Sequence, residues 1–257
     1  VRIHSSVGFV GLGETTFAPE AVEANIHESI ATYLLGKDPG QLDFHWDRLG
    51  NRFKTVRGRG VDSGSVSAID MALWDLYARR MNQPLYQVLG GLSRDRIRVY
   101  NTCAGYAYGV KSGGARKAGQ VDHRPEQPYE DHQAFMTDAG ALADDLLSEG
   151  YSAMKIWPFD QFSNESNGQF ISSAELEEGT EPFIRIREKV GNRMDVMVEM
   201  HSIWNLASAK RIAKSVKPTR PFWFEDPVPM NNIDALAEFR QSTHIATTAS
   251  EQVATRW

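Results

Sequence analysis

Hydrophobic and polar positions along this chain change period several times, and each change marks a predicted element. Residues 1–17 trade apolar and polar positions at period two around Gly8, Gly11 and Gly13, the pattern of a β-hairpin. From Ala18 to Leu35 the spacing turns helical: Pro19 lies in the first turn, Val22, Ile26, Ile30 and Leu34 recur four apart, and Gly36 follows as a stop. A second helical segment runs through Leu42, Trp46 and Leu49. The strongest helix of the front half spans residues 63–81, with Ile69, Leu73, Leu76 and Tyr77 on one face, and the segment after it breaks at Gly90 and Gly91. Residues 1–95 therefore predict a small α+β unit.

The run from Ile97 to Ala104 is apolar and of strand length, and a different rhythm starts there. The polar, glycine-rich stretch 105–127 is too long for an ordinary βα connection and reads as a surface insertion or lid. A helix over 129–149, a strand over 151–159, a polar loop over 160–174 and a helix over 174–190 follow. Then come strand 195–201, helix 207–216, strand 222–226, helix 233–240 and strand 245–250. Strands separated by helices imply a parallel sheet with right-handed crossovers. No GxGxxG follows the first of these strands, which disfavours an open doubly wound sheet. A (β/α)₈ barrel fits better, because it sets its chemistry at the C-terminal ends of successive strands. Five strands make about five of the eight that a barrel needs. The chain opens at Val1 within a strand pattern and closes soon after the fifth strand, so both ends are expected to be cut.

Three of the apolar runs end in a carboxylate: Glu199, Glu225 and Glu251. Their intervals are equal, 225 − 199 = 26 and 251 − 225 = 26, about one β/α unit each. Hard oxygen ligands delivered by neighbouring strands to one end of a sheet suit a divalent cation of the Mg²⁺ type. The net charge of −5 leaves no basic footprint for nucleic acid, so a small anionic substrate needs local help from a metal or a lysine. No apolar run is long enough to span a bilayer. The single cysteine, Cys103, rules out an internal disulfide framework and fits a cytoplasmic location.

A set of short motifs in fixed order now becomes informative: GLGET, LLGKDP, SAIDMALWDLYAR with PLYQVLGG, GYSAMKIW, VEMHSIWN, FWFEDP and ASEQ. With these the chain resembles the enolase superfamily, in its mandelate racemase and muconate lactonizing enzyme-like group, of sugar-acid dehydratase type. The resemblance implies an α/β fold of TIM-like, enolase-type barrel with an N-terminal α+β capping domain. Residues 1–95 would be part of the cap and residues 96–257 the first five β/α units. It implies Mg²⁺, with Mn²⁺ the alternative, on Glu199, Glu225 and Glu251; relatives more often carry aspartate at the first position.

The shared chemistry that the resemblance implies is removal of the proton α to a carboxylate. Relatives usually carry Lys-x-Lys on the second barrel strand, and here the strand reads Lys155-Ile156-Trp157. Lys155 keeps the role of assisting the substrate carboxylate. Trp157 cannot be a base, because an indole N–H only donates, and it reads as a pocket wall. His201, two residues after Glu199, is expected on the same side by period-two alternation. It takes the place of the general acid that expels a β-hydroxyl in galactonate- and mannonate-type dehydratases. The base would be a histidine of a later strand. The capping loop at Thr15, Thr16 and Phe17 falls where relatives close over substrate.

The expected activity is thus that of a Mg²⁺-dependent hydro-lyase acting on an aldonate- or aldarate-type sugar acid. An epimerase, racemase or cycloisomerase on the same scaffold is the alternative, and an inactive fragment with an unclosed barrel is a third. The resemblance further implies a homo-oligomer when the protein is complete, with no nucleic-acid or membrane partner.

Overall fold

The computed structural model describes residues 1–15, 18–52, 60–105, 130–249 and 251. The predicted lid beyond Gly105 and the loop residues Thr16 and Phe17 lie outside them. Residues 1–97 and 98–251 form two compact units, each with its own core.

In the first unit β1 (Arg2–His4) pairs antiparallel with β2 (Val10–Leu12), as the alternation predicts. Three helical pieces run on without a break: α1 (Pro19–Asn25), a π turn over Ile26–Ile30 and α2 (Ala31–Leu34). α3 (Leu42–Arg52) and α4 (Val61–Arg80) follow, then the short α5 (Leu85–Val88). Val22, Ile26 and Ile30 bury against Val66, Ile69 and Leu73 of α4, with Leu42 and Leu49 of α3 closing the cluster. The glycines of β2 have a packing reason. A Cβ on Gly11 would overlap the Ala72 carbonyl oxygen and one on Gly13 that of Ala68, so only glycine lets the strand lie this close to α4.

Asp75 of α4 also ties β2 down. Its Oδ2 accepts hydrogen bonds from Leu12 N and from Arg79 Nε, both at 2.8 Å. Partial burial works against the charge, but the Arg79 and Leu12 hydrogen bonds outweigh it and hold the carboxyl below its ordinary pKa. A depressed carboxyl adds stability above its unfolded-state pKa and loses it as pH falls through the folded value. Asp75→Asn is therefore expected to lower stability by about 0.5–1 kcal/mol at neutral pH. Urea titrations should show the deficit closing below about pH 3.9.

The second unit is a parallel sheet in the order β3 (Ala153–Ile156), β4 (Asp195–Glu199), β5 (Trp223–Glu225), β6 (Ala246–Thr248). The predicted strand at 97–104 joins it only at Asn101, which bridges Met154; Asn101 N donates to Ala153 O and Lys155 N to Asn101 O. Four helices pack along the sheet: α6 (Asp131–Ser148), α7 (Ser173–Val190), α8 (Leu206–Val216) and α9 (Ile233–Ser242). Met154, Ile156, Val196, Val198 and Phe224 face these helices and meet Phe135, Leu142, Phe183, Ile186, Ile212 and Phe239. Burial on both faces explains why β3 and β4 read as continuous apolar runs. Each long helix starts on a polar cap, and Ser172 with Glu175 forms a reciprocal capping box on α7.

One contact fixes the segment that leaves β3. Phe159 is fully buried, and its ring lies against Gly179 of α7 so closely that a Cβ there would run into it. Helix propensity alone favours alanine over glycine by about 1 kcal/mol, but overpacking a closed core costs about 1–3 kcal/mol. Gly179→Ala is therefore expected to destabilise the protein, read as a lower urea midpoint at unchanged slope.

Candidate active site

Strand register decides which side chains meet. Lys155 pairs with Met197, Glu199 with Glu225, and Glu225 with Thr248. At period two this puts Lys155, Glu199, Trp223 and Glu225 on one face, opposite to the helix-covered core. The Lys155 ammonium sits between the two carboxylates, 2.7 Å from Glu199 Oε2 and 2.5 Å from Glu225 Oε1. Tyr100 lies beneath it, with Nζ 5.6 Å from the ring centroid. Trp223 Nε1 donates to the other oxygen of Glu225 at 3.0 Å. Glu199 Oε1 accepts from the backbone N–H groups of Met200 and His201 at 3.0 and 2.9 Å.

Burial and charge pull against each other here. Burial works against the Lys155 charge, but Glu199 and Glu225 outweigh it and raise the lysine's pKa. Burial raises the Glu199 carboxyl, with Glu225 adding to it, against the lowering effect of His201 and Lys155. One ammonium neutralises only one of two facing carboxylates, so the pair holds a surplus negative charge.

Left-handed backbone occurs at non-glycine residues elsewhere, as at Ala18, Asn82, Asn167 and Arg220, but several such residues also lie at the C-terminal ends of the sheet segments. Cys103, His201, Ser202 and Asp226, all just past C-terminal strand ends, have φ of 50°, 47°, 59° and 43°. Left-handed backbone at non-glycine residues concentrates at functional sites. It also corrects the alternation argument for His201. β4 ends at Glu199, so His201 is no longer on an extended strand, and the left-handed turn delivers its ring instead. The ring packs edge-on to Trp157, 5.4 Å between centroids, and its Nδ1 is 2.6 Å from Asp160 Oδ2. Burial opposes its protonation, but the hydrogen bond and charge of Asp160, then Glu199 and Glu251, raise its pKa to about 9. Trp157 is buried and also meets Phe135 and His132 of α6.

Five of the six candidate residues, Lys155, Trp157, Glu199, His201 and Glu225, thus meet at one end of the sheet. Glu251 is not in register with the two other glutamates. Thr248 stands opposite Glu225, because 248 − 225 = 23 residues separate registered positions here, against 26 from Glu199 to Glu225. Glu251 follows in an exposed turn. Among the described residues no three His, Cys, Asp or Glu side chains gather closely enough to hold a metal ion.

Residues 1–90 match the family described as mandelate racemase / muconate lactonizing enzyme, N-terminal domain, and residues 138–257 match the one described as enolase C-terminal domain-like. The chain belongs to the mandelate racemase and muconate lactonizing enzyme group of the enolase superfamily. Its fold is that of an enolase-type barrel, in part, with the N-terminal α+β domain. Among solved members of the superfamily, an enolase of the mandelate racemase subgroup from Agrobacterium tumefaciens is 38% identical, with a TM-score of 0.83 over all of this chain and 60% of that one. D-gluconate dehydratase of Thermoproteus tenax is 32% identical over 95% of this chain and 43% of its own length. The D-galactonate dehydratase family member ManD of Chromohalobacter salexigens is 27% identical over 95% of this chain and 59% of its own. The chain therefore spans about half the length of these curated relatives.

Sequence reading missed three residues of this enolase-type site. Trp223 was legible, lying two before Glu225 and so on its face. Tyr100 was not, because the strand that carries it pairs at only one residue. Asp160 fell in a stretch read as a polar loop, and nothing local links it to a histidine 41 residues on.

Proposed function

We propose that the complete protein is a Mg²⁺-dependent dehydratase of an aldonate- or aldarate-type sugar acid. The observation that carries this reading is the convergence of Glu199 and Glu225 on one cation at the C-terminal end of the sheet, with a His–Asp pair beside it. The donor set fits the metal: two carboxylate oxygens already aim at one positive charge, are hard ligands, and hold more negative charge than a lysine neutralises. Glu199 and Glu225 would hold the ion, with Glu251 as the third ligand. The dehydratases among its relatives support the same class.

When bound, Mg²⁺ supplies positive charge for the substrate carboxylate and for the negative charge that develops on it. Lys155 binds that carboxylate from the side and orients it. Glu199 and Glu225 hold the lysine in place, and Trp157 closes the wall of the pocket and excludes water. A histidine of a later strand takes the α-proton. The Cβ–OH bond then breaks, and His201 gives its Nε2 proton to the departing hydroxyl, so that water leaves. The enol that remains becomes a 2-keto-3-deoxy acid.

The alternative in this superfamily is an epimerase, racemase or cycloisomerase. Incubating the complete enzyme with a panel of sugar acids in D₂O, followed by NMR and mass spectrometry, separates them. Loss of one water with a new keto-deoxy product is the expected result. Deuterium at the α-carbon with every heavy atom retained would mean an epimerase, and the dehydratase reading would fall.

A further inference from the structure

Asp160 opens a 3₁₀ turn, Asp160–Ser163, with three residues, 157–159, between it and the end of the strand that carries Lys155. It is 4% exposed. Its Oδ2 lies 2.6 Å from His201 Nδ1, and its Oδ1 is buried with no hydrogen-bond partner among the described residues. Burying a carboxylate with half of its acceptor capacity unmet is expensive. Packing alone favours an apolar or amide side chain at such a place, so the carboxylate is explained by what it does to the imidazole.

The imidazole is held at several points. Its backbone N–H is committed to Glu199 Oε1, its φ is left-handed at 47°, and its ring rests edge-on against Trp157. With Nδ1 donating to a carboxylate, the tautomer is fixed, and Nε2 is the nitrogen left to exchange a proton. Without that carboxylate either nitrogen can carry the proton and the ring can turn about its χ2 bond. A general acid needs the opposite: one nitrogen, in one place, within hydrogen-bond reach of the leaving oxygen.

We propose that Asp160 is the positioning residue of His201, fixing Nδ1 as the donor to its carboxylate and so reserving Nε2 for the departing hydroxyl. The inference rests on the dehydratase reading above. Asp160 touches no reacting atom and acts through His201 alone.

The test compares Asp160→Asn, Asp160→Glu and His201→Asn in the complete enzyme, with Mg²⁺ affinity measured by calorimetry as a check on the site. Asp160→Asn is expected to lower kcat about 10²–10³-fold, with KM and Mg²⁺ affinity within about threefold. Asp160→Glu, which restores a carboxylate, should recover at least about tenfold of that loss. In ¹⁵N-histidine-labelled wild-type protein the His201 Nδ1 should carry a hydrogen-bonded proton whose signal vanishes in Asp160→Asn. A His201→Asn enzyme that is inactive beside a fully active Asp160→Asn enzyme overturns the positioning role and leaves the dehydratase reading standing. If His201→Asn is itself fully active, the general-acid reading fails and the role of Asp160 fails with it. Should Asp160→Asn not fold, the wild-type spectrum decides: an unprotonated Nδ1 at His201 refutes the proposal.

Discussion

Replacing Lys155 by methionine is expected to destabilise the metal-free protein by about 3–5 kcal/mol, the usual result of removing one partner from a buried ionic cluster. Methionine keeps most of the lysine stem, so the loss isolates the charge rather than the packing. What remains is two carboxylates opposite each other in register, one of them, Glu199, only 1% exposed, with no ammonium between them. Backbone donors from Met200 and His201, and the Trp223 indole, still serve the outer oxygens, but they carry only partial charge. The pH dependence has a definite sign. Lys155 has a raised pKa, so its contribution is complete below the ordinary lysine value near 10.4 and is lost only above it. The deficit should therefore be level across neutral pH and should narrow in acid, as Glu199, whose pKa burial raises, takes up a proton.

Mg²⁺ should reverse part of the loss. A ligand that binds only the folded state stabilises it by about 2.7 kcal/mol at a hundred times its Kd. The gain should be larger in the variant, where no ammonium competes for the same two oxygens. Urea denaturation in EDTA and in Mg²⁺ reads both effects. Equal stability of the variant and the parent in EDTA would show that the lysine is no part of the charge balance at this site.

Much of this arrangement is legible in the sequence because it is local. Alternation, helix spacing and caps are properties of a few neighbouring residues, and they place the hairpin, α4 and the β/α order. Equal spacing of Glu199 and Glu225 translates into register because one complete strand, loop and helix separates them. The same spacing does not translate into register at Glu251. The connection from β5 to β6 through α9 is three residues shorter between registered positions than the one from β4 to β5, so Glu251 lies past the end of β6. His201 reaches the site by a left-handed turn that no periodicity encodes. The π turn at Ile26–Ile30 is equally silent, since its side chains keep the same apolar face as an α-helix. Contacts between distant segments are the least legible of all. Asp160 and His201 meet only because a turn after β3 and a turn after β4 open onto the same end of the sheet.

The second large effect concerns His201→Asn, for which dehydration by the complete enzyme is expected to slow about 10²–10⁴-fold. Asparagine can still donate one hydrogen bond from its amide nitrogen to Asp160, and the backbone N–H that serves Glu199 is unchanged. Metal affinity should therefore stay close to that of the parent enzyme. The two half-reactions give the sharper reading. If His201 serves only to protonate the leaving hydroxyl, a separate base still removes the α-proton. The variant should then exchange that proton with D₂O while failing to release water. An enzyme in which His201 is itself the base would lose exchange and turnover together, as an epimerase using this histidine on one face must. Exchange without dehydration, seen by ¹H NMR on the recovered substrate, ties the histidine to C–O cleavage. Loss of both assigns it to C–H cleavage, and the division of labour between His201 and a later strand would have to be reversed.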